Sequence, residues 1–119
     1  MEQQEAPKRS AVAIDIKKED GTTTRYIVKQ PTLKEIENAS SVAGMSAGDN
    51  VMTAATGTQR ELVKSLVHSV DGVVIEGVKR ETLPYDIPLP HYNKIRDIVS
   101  EMAGLGKKEA EAEVSAVLI

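Results

Sequence analysis

Arg60-Glu61-Leu62-Val63-Lys64-Ser65-Leu66-Val67-His68-Ser69-Val70, then Asp71-Gly72, then Leu83-Pro84-Tyr85-Asp86, then a run from Tyr92 to Met102, holds the strongest periodic signal in the chain. Its first segment sets Leu62, Val63, Leu66, Val67 and Val70 on one stripe, with Arg60, Glu61, Lys64, Ser65, His68 and Ser69 on the other side. That spacing predicts an amphipathic helix with one buried face. Tyr92, Ile95, Ile98, Val99 and Met102 repeat the signal in the last segment. Two such helices bury their stripes against each other, and a third element must cover what remains. The expected main core is Leu62, Leu66, Val70, Ile95, Ile98, Val99 and Met102. The stretch shows no catalytic chemistry.

Upstream, Ala11 to Lys18 alternates, with Val12, Ile14 and Ile16 on one face. Thr22 to Gln30 alternates in the same way, and Asp20-Gly21 lies between them, a hairpin signal. The register follows from matching faces. A two-residue loop pairs Ile16 with Arg25 and Val12 with Lys29, mixing apolar and charged side chains. A three-residue loop, Glu19-Asp20-Gly21, pairs Val12 with Val28, Ile14 with Tyr26, Ile16 with Thr24 and Asp15 with Arg25. A one-residue slip turns every side chain to the other face, so the register with a clean apolar face is expected. It requires Gly21 in the left-handed conformation.

Pro31 ends the second strand. Thr32 and Glu35 form a capping box for a helix of two to three turns through Leu33 and Ile36. Ser40 to Gly57 is weakened by three glycines, with Asp49 as a cap for a short helix through Val51, Met52 and Ala55. Thr58 is the expected N-cap of the central helix, with Glu61 at the capping-box position. Asp71-Gly72 is read as the stop of that helix, and Val73, Val74 and Ile75 as a short strand. The prolines between Leu83 and Pro90 exclude regular structure until a helix starts near Pro88 or Pro90. Gly104 and Gly106 end it.

The expected fold is α+β: an N-terminal antiparallel β-hairpin packed on a small bundle of three to four helices. Residues 1–10 are read as a flexible tail, 11–104 as the domain, and 105–119 as a C-terminal tail whose helix formers permit a helix. The 119-residue length suits one domain with a modest core. Without Phe or Trp that core is aliphatic.

A net charge of −3 with mixed signs argues against a nucleic-acid surface. No cysteine is present for a disulfide or thiolate metal site. The first ten residues lack the apolar core of a signal peptide, and no apolar run approaches the roughly 20 residues of a membrane span. His68 and His91 sit on the polar side or edge of their helices without a ligand partner at metal spacing, and are read as solvated. Asp97 and Glu101 are read as an exposed carboxylate pair. Asp15, Glu19, Asp20 and Asp49 lack calcium-loop spacing. Gly104-Leu105-Gly106-Lys107-Lys108 lacks the first glycine and the hydroxyl residue of a phosphate loop. No catalytic, cofactor-binding or metal-binding residue is assigned, and no cofactor is expected.

The apolar end Val114-Ser115-Ala116-Val117-Leu118-Ile119 has two readings. It is a last helix turn packed on the domain, or an interaction patch. With Leu105, it is expected to contribute contacts to another chain through Val114, Val117, Leu118 and Ile119.

The order of elements, a hairpin, Gln30-Pro31-Thr32-Leu33-Lys34-Glu35-Ile36, then Leu62-Val63 to Asp71-Gly72, Leu83-Pro84-Tyr85-Asp86 and a last amphipathic helix, resembles the small tail assembly chaperones of long-tailed and contractile-tailed phages and related baseplate-type proteins. The resemblance covers residues 11–104 and carries no catalytic motif. It implies a non-enzymatic protein that binds and shields the tape measure protein in the host cytoplasm, with the major tail protein as a further candidate partner and self-association as another expectation. The alternative it implies is a structural tail or baseplate subunit retained in the virion.

Overall fold

The computed structural model describes residues 9–47, 51–104 and 113–119. Its elements are β1 (Ser10–Lys17), β2 (Thr23–Lys29), α1 (Leu33–Ala47), α2 (Val51–Leu66), β3 (Val67–Val70), β4 (Val73–Val74), α3 (Val78–Asp86), α4 (Leu89–Met102) and β5 (Glu113–Leu118). The fold is α+β. The hairpin is part of a larger structure, a five-stranded antiparallel sheet in the order β4-β3-β2-β1-β5.

The hairpin register is the expected one: Val12 faces Val28, Ile14 faces Tyr26, Ile16 faces Thr24, and Asp15 faces Arg25. Gly21 has φ +88°, and its N–H donates to the Lys18 carbonyl at 3.0 Å. The Asp15–Arg25 pair is bidentate, at 2.7 and 2.8 Å, and the guanidinium holds the Asp15 carboxyl below its ordinary value. Val12, Ile14, Ile16, Tyr26 and Val28 form one wall of the core. Leu62, Val63 and Leu66 of α2, with Ile95, Ile98 and Val99 of α4, form the facing wall. Val70 and Met102, also expected in the core, are partly buried against it.

The capping box at α1 is present. The Glu35 N–H donates to Thr32 Oγ1 at 3.2 Å, and the Thr32 N–H donates to Glu35 Oε1 at 3.0 Å. Arg9 forms an ion pair with the same carboxylate. Burial alone would raise the Glu35 pKa, but the Arg9 and Thr32 hydrogen bonds outweigh it and hold it low.

Helix α1 runs to Ala47, longer than the two to three turns expected. Its partner explains this. Gly57 lies so close to α1 that a Cβ there would stand 3.0 Å from Ala43 Cβ. Gly57 permits the close helix approach, and tertiary contact overrides the weak local propensity. Thr58 is therefore no N-cap. It is a buried residue inside α2, which begins at Val51. The cap expected at Asp49 lies outside the described residues.

The central helix ends earlier than its periodicity suggested. Val67 and Val70 belong to β3, which pairs with β2, and the register shift between Ile27 and Val28 leaves His68 as the extra residue of a bulge. Asp71-Gly72 is then a two-residue hairpin turn between β3 and β4, with φ +50° and +83°. Those positive values are what a type I′ turn needs, and Asp-Gly supplies them at least cost. The same Asp71 accepts the Arg25 N–H at 2.8 Å. Val73 and Val74 are a strand, as expected, while Ile75, read as its third residue, lies beyond it.

The proline-rich segment is more regular than expected. Helix α3 contains Pro84, and both Leu83 and Pro84 are buried. The ring removes one donor, yet Ile87 N–H still bonds to the Leu83 carbonyl at 3.2 Å, so the turn continues past it. Helix α4 starts after Pro88 with Pro90 in its first turn, as expected.

The helical continuation that composition permitted for the C-terminal segment is corrected over residues 113–118, which form β5 on the outer side of β1. The driving factor is β1 itself. Without a neighbour on that side its Ala11, Ala13 and Asp15 backbone groups would lack partners. The flexible tail read at residues 1–10 is corrected at its end: Ser10 opens β1 and Arg9 pairs with Ile119, while 1–8 lie outside the described residues. No helix among the described residues is long and apolar enough to cross a membrane.

Candidate functional site

Three features stand out once the core is accounted for. The first joins sheet and helix. Tyr26 points from β2 into the core, and its hydroxyl lies 2.7 Å from His91 Nδ1 in the first turn of α4. The rings meet edge to face, 5.8 Å apart at 88°. His91 is only 8 % exposed. Its reading as a solvated histidine is thus corrected: the helix turns it toward the sheet, where a buried tyrosine hydroxyl needs a partner.

Burial pushes the Tyr26 phenol up to about 12, with the Asp71 charge adding to it. Burial, then Lys18 and Lys94, pushes the His91 imidazole below its ordinary value. Both groups are therefore neutral near neutral pH, and the pair works as a tie between layers. His91 also lines an open cleft of about 460 Å³ beside the hairpin tip. Lys17, Lys18 and Lys94 face Glu19 and Asp20 around it, so the cleft is mixed in sign with a small positive excess. Among the described residues no three His, Asp or Glu are grouped to hold a metal ion.

The second feature is the C-terminal strand. Of the residues expected to contact a partner, Val114, Val117 and Leu118 lie in β5 and Ile119 follows it, exchanging backbone hydrogen bonds with Arg9 at 2.8 and 2.9 Å. Leu105 lies outside the described residues. Val114 packs against the core and Leu118 is 62 % exposed. The structure therefore places Val114, Val117 and Leu118 on one strand, with Ile119 just beyond its end, and divides them by face. Val114 and Leu118 share the face of Ile14 and Ser10, whereas Val117 pairs with Ala11 on the other.

The third feature was not anticipated. Val78, Tyr85 and Leu89 are 80, 74 and 68 % exposed on α3 and the start of α4. Val78 and Tyr85 are two helical turns apart and so lie on one side of α3. Tyr92 lies nearby: burial raises its pKa, while the charges of Arg96 and Arg60 pull it down and Tyr85 adds slightly to the rise. An exposed tyrosine is the residue type enriched in binding hot spots, and Val78 and Leu89 add exposed apolar surface to it. The sequence signal was Tyr85 and Leu89 among prolines, hidden because that segment read as irregular.

Arg80 is a further residue the pattern did not reveal. Its Nη1 donates to the carbonyls of Lys64, Ser65 and Val67 at 2.8, 3.2 and 3.1 Å, and its Nη2 to that of Ile75 at 2.8 Å. It satisfies the open end of α2 where the chain turns into β3. Comparisons of the chain with protein-family models, curated proteins and solved structures find no match.

Proposed function

We propose that this chain is a non-enzymatic binding protein of the phage tail assembly chaperone kind, which covers apolar helical segments of the tape measure protein in the host cytoplasm. The observation that carries the reading is the exposed ridge of Val78, Tyr85 and Leu89 on α3 and α4. Exposed apolar side chains of this kind suit the apolar seam of a long helical partner. A small acidic domain whose one buried tyrosine–histidine pair is neutral suits binding rather than turnover.

The test is co-expression with the tape measure protein. The wild-type chain should keep that protein soluble and co-purify with it, and Tyr85→Asp with Leu89→Asp should lose both effects while remaining folded. Unchanged co-purification by the double variant would refute the ridge as the binding surface. No capture by the wild type would refute the chaperone reading. Mass spectrometry of purified particles decides the alternative: a chaperone is missing from them, and a structural tail or baseplate subunit is present.

A further inference from the structure

The free side of β5 can be derived from the bonds it makes. Arg9 and Ile119 exchange both backbone hydrogen bonds. In an antiparallel ladder such bonded pairs alternate with unbonded ones. In the observed register Ala11↔Val117 and Ala13↔Ser115 are then bonded, and Ser10↔Leu118, Val12↔Ala116 and Ile14↔Val114 are not. The other side of β1 agrees, since Gln30 N–H bonds to the Ser10 carbonyl at 3.0 Å, placing the even-numbered residues of β1 toward β2. The N–H and C=O groups of Val114, Ala116 and Leu118 therefore point outward from the sheet.

These three residues also share one face, the face of Val12 and Ile14. Folded proteins usually protect such edges with Lys, Pro, a bulge or very short strands. From Val114 to Leu118 this six-residue strand has no charge and no proline. The edge is apolar, and Ala116 and Leu118 are exposed on it.

We propose that this edge pairs with the same edge of a second copy, antiparallel about a two-fold axis at Ala116, joining two five-stranded sheets into one. A two-fold relating antiparallel neighbours stands normal to the sheet, so residues of the same face meet. Centred on Ala116, the register sets Ala116 against Ala116 and each Val114 against Leu118. Every outward donor and acceptor of the three residues then finds a partner. Moving the axis one residue either way leaves one outward residue of each copy opposite a position outside β5. The exposed Leu118 comes to lie beside the second copy's Val114, which already packs against the core. This pairing is independent of the ridge on α3 and leaves it free.

Sedimentation velocity of the full chain, from low micromolar to several hundred micromolar, tests it. The wild type should pass from monomer to dimer. Ala116→Glu alone and Ala116→Lys alone should stay monomeric, and an equal mixture of the two should dimerise. Only contact of position 116 with itself brings those unlike charges together. Ala116→Pro adds a second arm: the Ala116 N–H makes no bond to β1, so this variant should keep its fold and remain monomeric. A wild type that stays monomeric overturns the proposal. So does an Ala116→Glu or Ala116→Pro chain that dimerises like wild type, or a mixture of folded Glu and Lys variants that does not associate.

Discussion

Replacing Arg80 by methionine keeps an unbranched apolar stem and removes the guanidinium with its four hydrogen bonds at once. The acceptors are the carbonyls of Lys64, Ser65, Val67 and Ile75, at 2.8 to 3.2 Å. Two of them belong to the last turn of α2, where carbonyls have no partner within the helix. A positive group there also opposes the negative end of the helix dipole. A hydrogen bond to a charged donor contributes about 1.5–3 kcal/mol, but the four share one half-buried guanidinium and are not additive. A net loss of about 2–4 kcal/mol is expected, which for a domain of this size lowers Tm by roughly 10 °C. Arg80→Lys should recover less than half of it, because one ammonium cannot reach acceptors on both β3 and the β4 side. Urea titration followed by circular dichroism measures both variants. A loss for Arg80→Met below about 0.5 kcal/mol would refute the view that this side chain holds the junction of α2 and β3.

The two helix glycines should respond in opposite ways to alanine. A Cβ at Gly44 meets nothing within 4 Å, so Gly44→Ala should stabilise by about 0.5–1 kcal/mol. At Gly57 the same Cβ would press on Ala43, so Gly57→Ala should give no gain and Gly57→Leu should cost about 1–3 kcal/mol; equal gains at both sites in thermal melts would refute the close helix approach. Acid should weaken the fold through His91. Its folded pKa lies below the ordinary 6.5, so the unfolded chain takes up the proton first and stability falls as pH drops from about 6.5 through the folded value, then levels. His91→Gln should show a smaller loss between about pH 7 and pH 5, and an unchanged slope would mean that His91 is not buried neutral.

The parts of the fold legible in the sequence are those fixed by short-range constraints. The hairpin register was readable because only one pairing of Val12, Ile14, Tyr26 and Val28 leaves an unmixed face. The capping box was readable because Thr32 and Glu35 act within one turn. Leu62, Leu66, Ile95, Ile98 and Val99 were readable as core from spacing alone.

What remained hidden depended on distant partners. Val67 and Val70 fit a helical stripe as well as a strand, and only the open side of β2 decides between them. Asp71-Gly72 reads as a helix stop or as a hairpin turn, and the choice follows from the same pairing. Six apolar-leaning residues at 114–119 have no period of their own, and it is β1, about a hundred residues earlier in the chain, that makes them a strand. Of the contact residues expected there, Val114 and Val117 fall on opposite faces of the strand. Pro84 concealed α3, and with it the ridge of Val78, Tyr85 and Leu89.

The apolar C-terminal segment is the outer strand of the sheet, bonded to β1 through its odd-numbered residues and open through its even-numbered ones. Amide hydrogen exchange followed residue by residue by NMR tests it most directly. In dilute solution Ser115, Val117 and Ile119 should exchange slowly, while Ala116 and Leu118 exchange fast; at high concentration the latter two should slow as well. Fast exchange throughout the segment, or protection of Ala116 and Leu118 in place of Ser115 and Val117, would rule out this strand arrangement.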